Sequence, residues 1–279
     1  MTDLSGNVFI VTGANTGIGK VAATDFARRG AHVFLACRSA DKTQPVIDEI
    51  KRATGNDKVE FLALDLGDLS SVRTAAATFL ARNLPLHVLV TNAGLAGQRG
   101  HTRSGFELAF GTNHVGHFLF TELLLDKLKA SAPARIVNVA STAHYNAKGI
   151  DWDAVRKPTK TLTALDEYAV SKLANVLFTK ELARRLAGTK VTTYALHPGV
   201  VATDVWRRVP VGLRGLAKLF MKSAEDGAKT TIYCATSPAV ANETGKYYDD
   251  VKEKRPSKQA DDLALAAELW KRSEDWTRA

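Results

Sequence analysis

A run of β-forming residues, Asn7-Val8-Phe9-Ile10-Val11-Thr12, leads straight into Thr12-Gly13-Ala14-Asn15-Thr16-Gly17-Ile18-Gly19 and then into a segment of helical period, Lys20 to Ala27. A strand that turns through glycines into a helix opens a βαβ unit, and such units build parallel sheets because parallel neighbours need a crossover. Glycines here permit the tight turn, let backbone approach a pyrophosphate, and let the helix pack close to the strand. The free N–H groups and positive dipole end of that helix suit phosphate oxygens. Turn glycines are common, so a purely structural turn is the competing reading. The position between strand and helix, within the first 20 residues, favours a dinucleotide held by Gly13, Asn15, Thr16, Gly17, Ile18 and Gly19.

The pattern continues. His32 to Ala36, Val59 to Leu64, His87 to Thr91, Arg135 to Ala140, Val191 to Leu196 and a weaker Gly245 to Tyr248 are further β-rich runs, most of them separated by helix-length stretches. Near-continuous apolar strands are expected where both sheet faces are buried. The predicted fold is α/β: a Rossmann-type, doubly wound parallel sheet of seven strands with helices on both faces. With 279 residues, 45% of them hydrophobic, and no linker-like stretch, the chain reads as one domain over residues 1–279. Lys148 to Asp166 and Asp204 to Lys222 break the pattern and read as insertions above the sheet, and a polar helix is expected from about Ala260.

Composition narrows the function classes. Cys37 and Cys234 are too few for a disulfide framework and lack a zinc-binding spacing, so a reducing compartment and no metal are expected. No charged-then-apolar leader and no apolar run of about 18 residues are present, which predicts a cytoplasmic protein without a transmembrane segment. The net charge of +9 suits a polyanion. The basic residues are scattered, however, with no finger spacing or stacking motif, so no nucleic-acid partner is expected. A homo-oligomer stays open.

The end of the second strand selects the dinucleotide. An NAD enzyme usually carries an acid there for the ribose 2′-hydroxyl. Here Ala36-Cys37-Arg38-Ser39 puts Cys37 in the acid's place, with Arg38 and Ser39 beside it. A guanidinium holds a 2′-phosphate by bidentate, charge-assisted bonds, so the expected cofactor is NADP(H); a solvated loop cation is the alternative for Arg38. After the third strand, Asp65 and Leu66 can offer a carboxylate and an N–H to the adenine edge, or else Asp65 or Asp68 caps the next helix. After the fourth, Asn92, Ala93 and Gly94 are small enough for close approach of cofactor, although Asn92 can equally tie the turn to the neighbouring strand.

Taken in order, Thr91-Asn92-Ala93-Gly94, Asn113, Ser141, Tyr168-Ala169-Val170-Ser171-Lys172 and Pro198-Gly199-Val200-Val201-Ala202-Thr203 make a chain that resembles the short-chain dehydrogenase/reductase family over nearly its full length. The glycine spacing, three residues and then one, is also the form seen in that family. Ala36-Cys37-Arg38, Asn113-His114-Val115-Gly116-His117-Phe118 and Leu196-His197-Pro198-Gly199-Val200-Val201 are most similar to its retinol dehydrogenase and WW-domain oxidoreductase branch. The resemblance implies hydride transfer between a nicotinamide and a carbonyl or a primary or secondary alcohol, with Tyr168 as general acid/base. By the same resemblance Lys172 bonds the nicotinamide ribose, Ser141 holds the substrate oxygen and Asn113 supports a relay water beside Lys172. Pro198 and Gly199 turn the chain and, with Val201, lie by the nicotinamide, where Thr203 can bond its carboxamide.

Chemistry explains those residue types. Carbonyl reduction delivers hydride to carbon and a proton to oxygen, so an acid must reach that oxygen. A phenol, with a pKa near ~10, is poorly matched to neutrality, and an ammonium nearby lowers it. Lys172 lies four residues on, on the same helical face, and is expected to do so. An exposed pair for Tyr168 and Lys172, and a buried amide for Asn113, are the bland readings. Their joint order at strand ends favours catalysis. His114 and His117 share a helix without an acidic or cysteine partner, which reads as packing rather than zinc.

Trp152, Val205, Trp206, Leu213, Leu216 and Phe220 fall in the two insertions and point to a small apolar carbonyl or alcohol substrate, with ordinary core as the equal alternative. Leu213 to Lys222 has helical amphipathic spacing, with Arg214, Lys218 and Lys222 on one arc, and predicts a substrate lid at about 204–222; weak membrane-surface contact is the competing reading. A catalytically silent dinucleotide sensor, or an isomerase or dehydratase, are the alternatives on this fold.

Overall fold

The computed structural model describes residues 2–199 and 223–278. Every β-rich run of the sequence forms a strand: β1 Val8–Thr12, β2 His32–Cys37, β3 Val59–Ala63, β4 Val88–Thr91, β5 Ala134–Val139, β6 Val191–His197 and β7 Lys246–Asp249. These seven are parallel, in the order β3-β2-β1-β4-β5-β6-β7. An eighth, β8 Lys252–Glu253, returns antiparallel along β7 through Asp250 and Val251, both at positive φ. Two exposed charged residues carry no β pattern, so this edge strand is not legible in sequence; it covers an edge that would otherwise stay open to pairing.

Alternation along the strands sorts the helices. Phe9 and Val11, Val33 and Leu35, and Val137 and Val139 face α1 (Gly17–Arg28), α2 (Ala40–Thr54) and α7 (Ala224–Thr236). Val8 and Ile10, Phe34 and Ala36, and Ile136 face α3 (Leu69–Leu80), α5 (Gly116–Ala130) and α6 (Leu165–Arg185). A three-residue helix, α4 (Leu108–Phe110), precedes α5. Burial on both faces is what the apolar runs required. Strand order reverses at β1, which pairs with both β2 and β4, so the crevice above the carboxyl ends opens there.

Two details set α5 and α6 over that crevice. A Cβ on Gly116 would sit 2.3 Å from the Leu66 carbonyl oxygen, so α5 can start against the turn after β3 only with glycine. On β5, Asn138 accepts from Thr91 Oγ1 at 2.7 Å and donates to Thr179 Oγ1 of α6 at 2.9 Å, locking the rotation of α6 on the sheet. Such buried, satisfied polar groups specify one arrangement of packed elements.

The C-terminal helix, α8 (Leu263–Thr277), has a buried stripe within its polar composition. Trp270 packs edge-on to Phe118 and stacks with Phe178, at 5.0 and 5.7 Å. Trp152 of the first insertion lies 6.2 Å from Trp276 under the Arg272 guanidinium, so it belongs to the core reading rather than to a substrate pocket. Val205, Trp206, Leu213, Leu216, Phe220 and the 204–222 lid lie outside the described residues. No described helix is long and apolar enough to cross a membrane.

Candidate active site

The glycine turn is shaped by contacts that tolerate no side chain. Gly13 has φ +65, and a Cβ there would meet Ala93 Cα at 2.9 Å; on Gly19 it would meet Asn92 Nδ2 at 2.5 Å. Thr16 then starts α1 with no side-chain cap and no acid in the first turn, whereas Ser39, Asp68 and Asp262 cap α2, α3 and α8. The leading N–H groups of α1 are thus left for an anion, close to half-buried Gly17 and Ile18.

At the end of β2, burial pushes the Cys37 thiol up in pKa, against hydrogen bonds from Thr43 and from the amides of Ala14, Asn15 and Gly13. Cys37 therefore sits against the glycine turn. Arg38 is exposed, and no hydrogen bond or ion pair among the described residues engages it. Ser39 accepts from the Lys42 N–H as the cap of α2. The cap of α3 is Asp68 and not Asp65; Asp65 accepts from the Gly67 N–H at 3.0 Å, and Leu66 is buried against Gly116. Asn92 donates to the Thr12 carbonyl at 2.8 Å, so its side chain does tie the turn to β1.

Ser141, Tyr168, Lys172 and Asn113 come together at the carboxyl end of the sheet from three different segments. Ser141 follows β5 at the start of a short turn, Thr142–Asn146. Its hydroxyl is hydrogen-bonded to the Tyr168 phenol, which projects half-buried from the first turn of α6. Lys172, one turn on, is buried and donates to the Val139 carbonyl at 2.8 Å, with Nζ 5.6 Å from the Tyr168 ring centre. Asn113 lies in a π-helical turn, Gly111–Val115, a local departure from α-geometry often found at functional sites. Its amide donates to the Leu95 carbonyl and Ser171 Oγ and accepts from the Leu95 N–H. Gly94 fills the gap between them: a Cβ there would lie 3.3 Å from Asn113 Oδ1 and 3.5 Å from Lys172 Nζ.

The electrostatics correct one expectation. Burial raises the Tyr168 pKa, with the Ser141 hydrogen bond pulling the other way, instead of Lys172 lowering it. Burial also pushes Lys172 down to about 7, since its ammonium finds a carbonyl dipole and no carboxylate partner among the described residues. Near neutrality the phenol keeps its proton, and Lys172 is divided between amine and ammonium.

Pro198 and Gly199 follow β6, with Gly199 at φ +90; Val201 and Thr203 lie outside the described residues. Sequence reasoning read His114 and His117 as packing and gave the histidines no part in bracing this site. His144 donates from Nδ1 to the Ser141 carbonyl at 2.6 Å and accepts the Ser257 N–H at Nε2, which anchors the serine loop to the C-terminal segment. His114 pairs through Nε2 with Ser273 Oγ of α8, and burial pushes its pKa to about 3. His117 bonds Thr12 and the Asn113 carbonyl. Polar residues inside otherwise apolar helix faces were the available signal.

The sequence pattern of the family described as short chain dehydrogenase matches residues 7–212. Retinol dehydrogenase 13 of Homo sapiens is 43% identical over 281 residues, covering 97% of this chain and 84% of that protein. Among solved structures, an uncharacterized protein from Mycobacterium paratuberculosis superposes with a TM-score of 0.81 at 33% identity, covering 99% of this chain and 95% of its own. A variant of actinorhodin polyketide ketoreductase, crystallised with NADPH, gives 0.68 at 26% identity, covering 89% and 96%.

Proposed function

The chain belongs to the short-chain dehydrogenase family, and on that footing we propose that this oxidoreductase uses NADP(H) and reduces an apolar aldehyde or ketone, with Tyr168 as the proton donor. The observation that carries the reading is the meeting of Ser141, Tyr168, Lys172 and Asn113 beside Gly94, above the switch point of the sheet. The residues fit the cofactor. The uncapped start of α1 suits a pyrophosphate, the clearances at Gly13, Gly19 and Gly94 suit close backbone approach, and the exposed Arg38 suits a 2′-phosphate. When bound, the reduced nicotinamide supplies the hydride for the carbonyl carbon.

The chain's own residues manage the oxygen. Ser141 Oγ and the Tyr168 hydroxyl, already in contact, both donate to the carbonyl oxygen, and the Tyr168 proton passes to it as the C–O bond becomes an alkoxide. A phenol held protonated is the form that reduction requires, which supports the reductive direction. Lys172 then stabilises the phenolate left behind and holds the ribose. The similarity to human retinol dehydrogenase 13 supports a retinoid-like polyene aldehyde or alcohol as the substrate class.

The test is consumption of NADPH with retinal and other apolar aldehydes and ketones, with NADH as control. NADPH should be favoured in kcat/KM. Arg38→Asp replaces a bidentate partner by a repulsive charge and should cost about 10- to 100-fold in kcat/KM for NADPH, the range of a lost charge-assisted hydrogen bond, while sparing NADH. A wild-type enzyme that prefers NADH would overturn the assignment.

A further inference from the structure

We infer that His117 is a positioning residue, closing a ring of hydrogen bonds that fixes the Ala93-Gly94-Leu95 turn beneath Lys172. The ring can be followed atom by atom. Thr12 Oγ1 lies 2.9 Å from His117 Nε2 and accepts from the Ala93 N–H, also at 2.9 Å. Through Gly94 the chain reaches Leu95, whose N–H and carbonyl are both held by the Asn113 side chain at 3.0 Å. The Asn113 backbone carbonyl lies 3.0 Å from His117 Nδ1, which completes the circuit. Gly94 stands at its open side, facing Asn113 Oδ1 and Lys172 Nζ.

With the imidazole neutral, the proton positions in the ring follow. A carbonyl only accepts, so His117 Nδ1 carries the hydrogen and Nε2 is bare. Thr12 Oγ1 therefore accepts the Ala93 N–H and turns its own proton to Nε2. His117 is 3% exposed, and burial with Lys172 nearby pushes its pKa to about 4, so the neutral form holds through the working pH range. The ring does not conduct protons, because it ends on a peptide N–H at one side and a carbonyl at the other. Its effect is geometric: one imidazole ties the end of β1, the turn after β4 and the π-turn bearing Asn113. On the proposed-function reading, that sets the height at which the dinucleotide meets Lys172.

Two measurements test this. Side-chain ¹⁵N spectra of the wild-type protein should show His117 as the Nδ1–H tautomer with no titration near pH 6 to 7, where a free imidazole would titrate. An Nε2–H tautomer, or ordinary titration, overturns the ring. The second uses substitutions. His117→Phe removes both links and should lose about tenfold or more in kcat and in cofactor affinity, as expected for breaking buried hydrogen bonds. His117→Asn keeps a donor near the Nδ1 position and loses the link to Thr12. It should restore kcat to within about threefold of wild type while KM for NADPH stays raised about tenfold. A merely structural histidine would shift Tm and the active fraction without separating kcat from KM, and equal losses in both variants would overturn the proposal. Failure of the wild type to oxidise NADPH would refute the functional reading alone and leave the tautomer result to decide the ring.

Discussion

Tyr168→Phe is expected to lower turnover by at least about 100-fold while leaving NADPH affinity within about twofold of wild type. The substitution deletes one oxygen and keeps the ring beside Lys172, so the cofactor crevice keeps its shape. What is lost is the proton donor and its hydrogen bond with Ser141. General acid catalysis typically contributes about 10² to 10⁴ in rate, and the hydroxyl serves both the substrate oxygen and the alignment of Ser141, so the loss should lie within that range. Retention of more than about a tenth of wild-type turnover, a deficit under ~1.4 kcal/mol, contradicts the role. The check is steady-state kinetics beside NADPH titration by protein fluorescence.

Lys172→Met has a different signature, because the ammonium is asked to act on both the phenolate and the ribose. Turnover should fall by about 100-fold or more and NADPH affinity by about tenfold together. Stability should move the other way in acid. The folded-state pKa of Lys172, about 7, lies below its ordinary value of 10.5, so burial opposes the charged form. That opposition to folding is complete below about pH 7 and fades as pH rises from there toward 10.5. Methionine carries no charge and nearly the same length, and Asn175 Nδ2, 3.3 Å from the Val139 carbonyl, remains to hold that oxygen. Relative to wild type, the variant should therefore gain in Tm at pH 6 and lose that gain by pH 10. A uniform loss of Tm at both pH values would show that the lysine is a structural donor and not a strained catalytic cation.

Most of the sheet was legible because β1 to β7 carry apolar residues on both faces, a pattern that only a doubly covered parallel sheet requires. The crevice residues followed from the same logic, since Gly13, Asn92, Ser141 and Pro198 stand just past strand ends. What escaped lacked a periodic signal. β8 is a charged dipeptide held by its turn, and α8, expected as a polar helix from about Ala260, hides its buried stripe of Leu269 and Trp270 within a polar average. Two alternatives left open by single residues turned on partners far away in sequence: the Asn92 side chain bonds the Thr12 carbonyl, and Trp152 packs by Trp276. The electrostatic expectation failed for a physical reason. An i, i+4 spacing places Tyr168 and Lys172 on one face, but it says nothing of the Val139 carbonyl that draws Nζ away or of the desolvation that both groups undergo. His117 was legible as buried packing. Its two ring nitrogens acquire meaning only when β1 and the π-turn are brought together.

Hydride transfer itself is tested most directly with NADPH deuterated on one or the other face of the nicotinamide C4, incubated with an apolar aldehyde and the wild-type enzyme. The account predicts one deuterium on the carbinol carbon of the product from one of the two epimers and none from the other, with the hydroxyl proton drawn from solvent through Tyr168. Product that carries no cofactor deuterium from either epimer, as an isomerase or dehydratase on this fold would give, contradicts it.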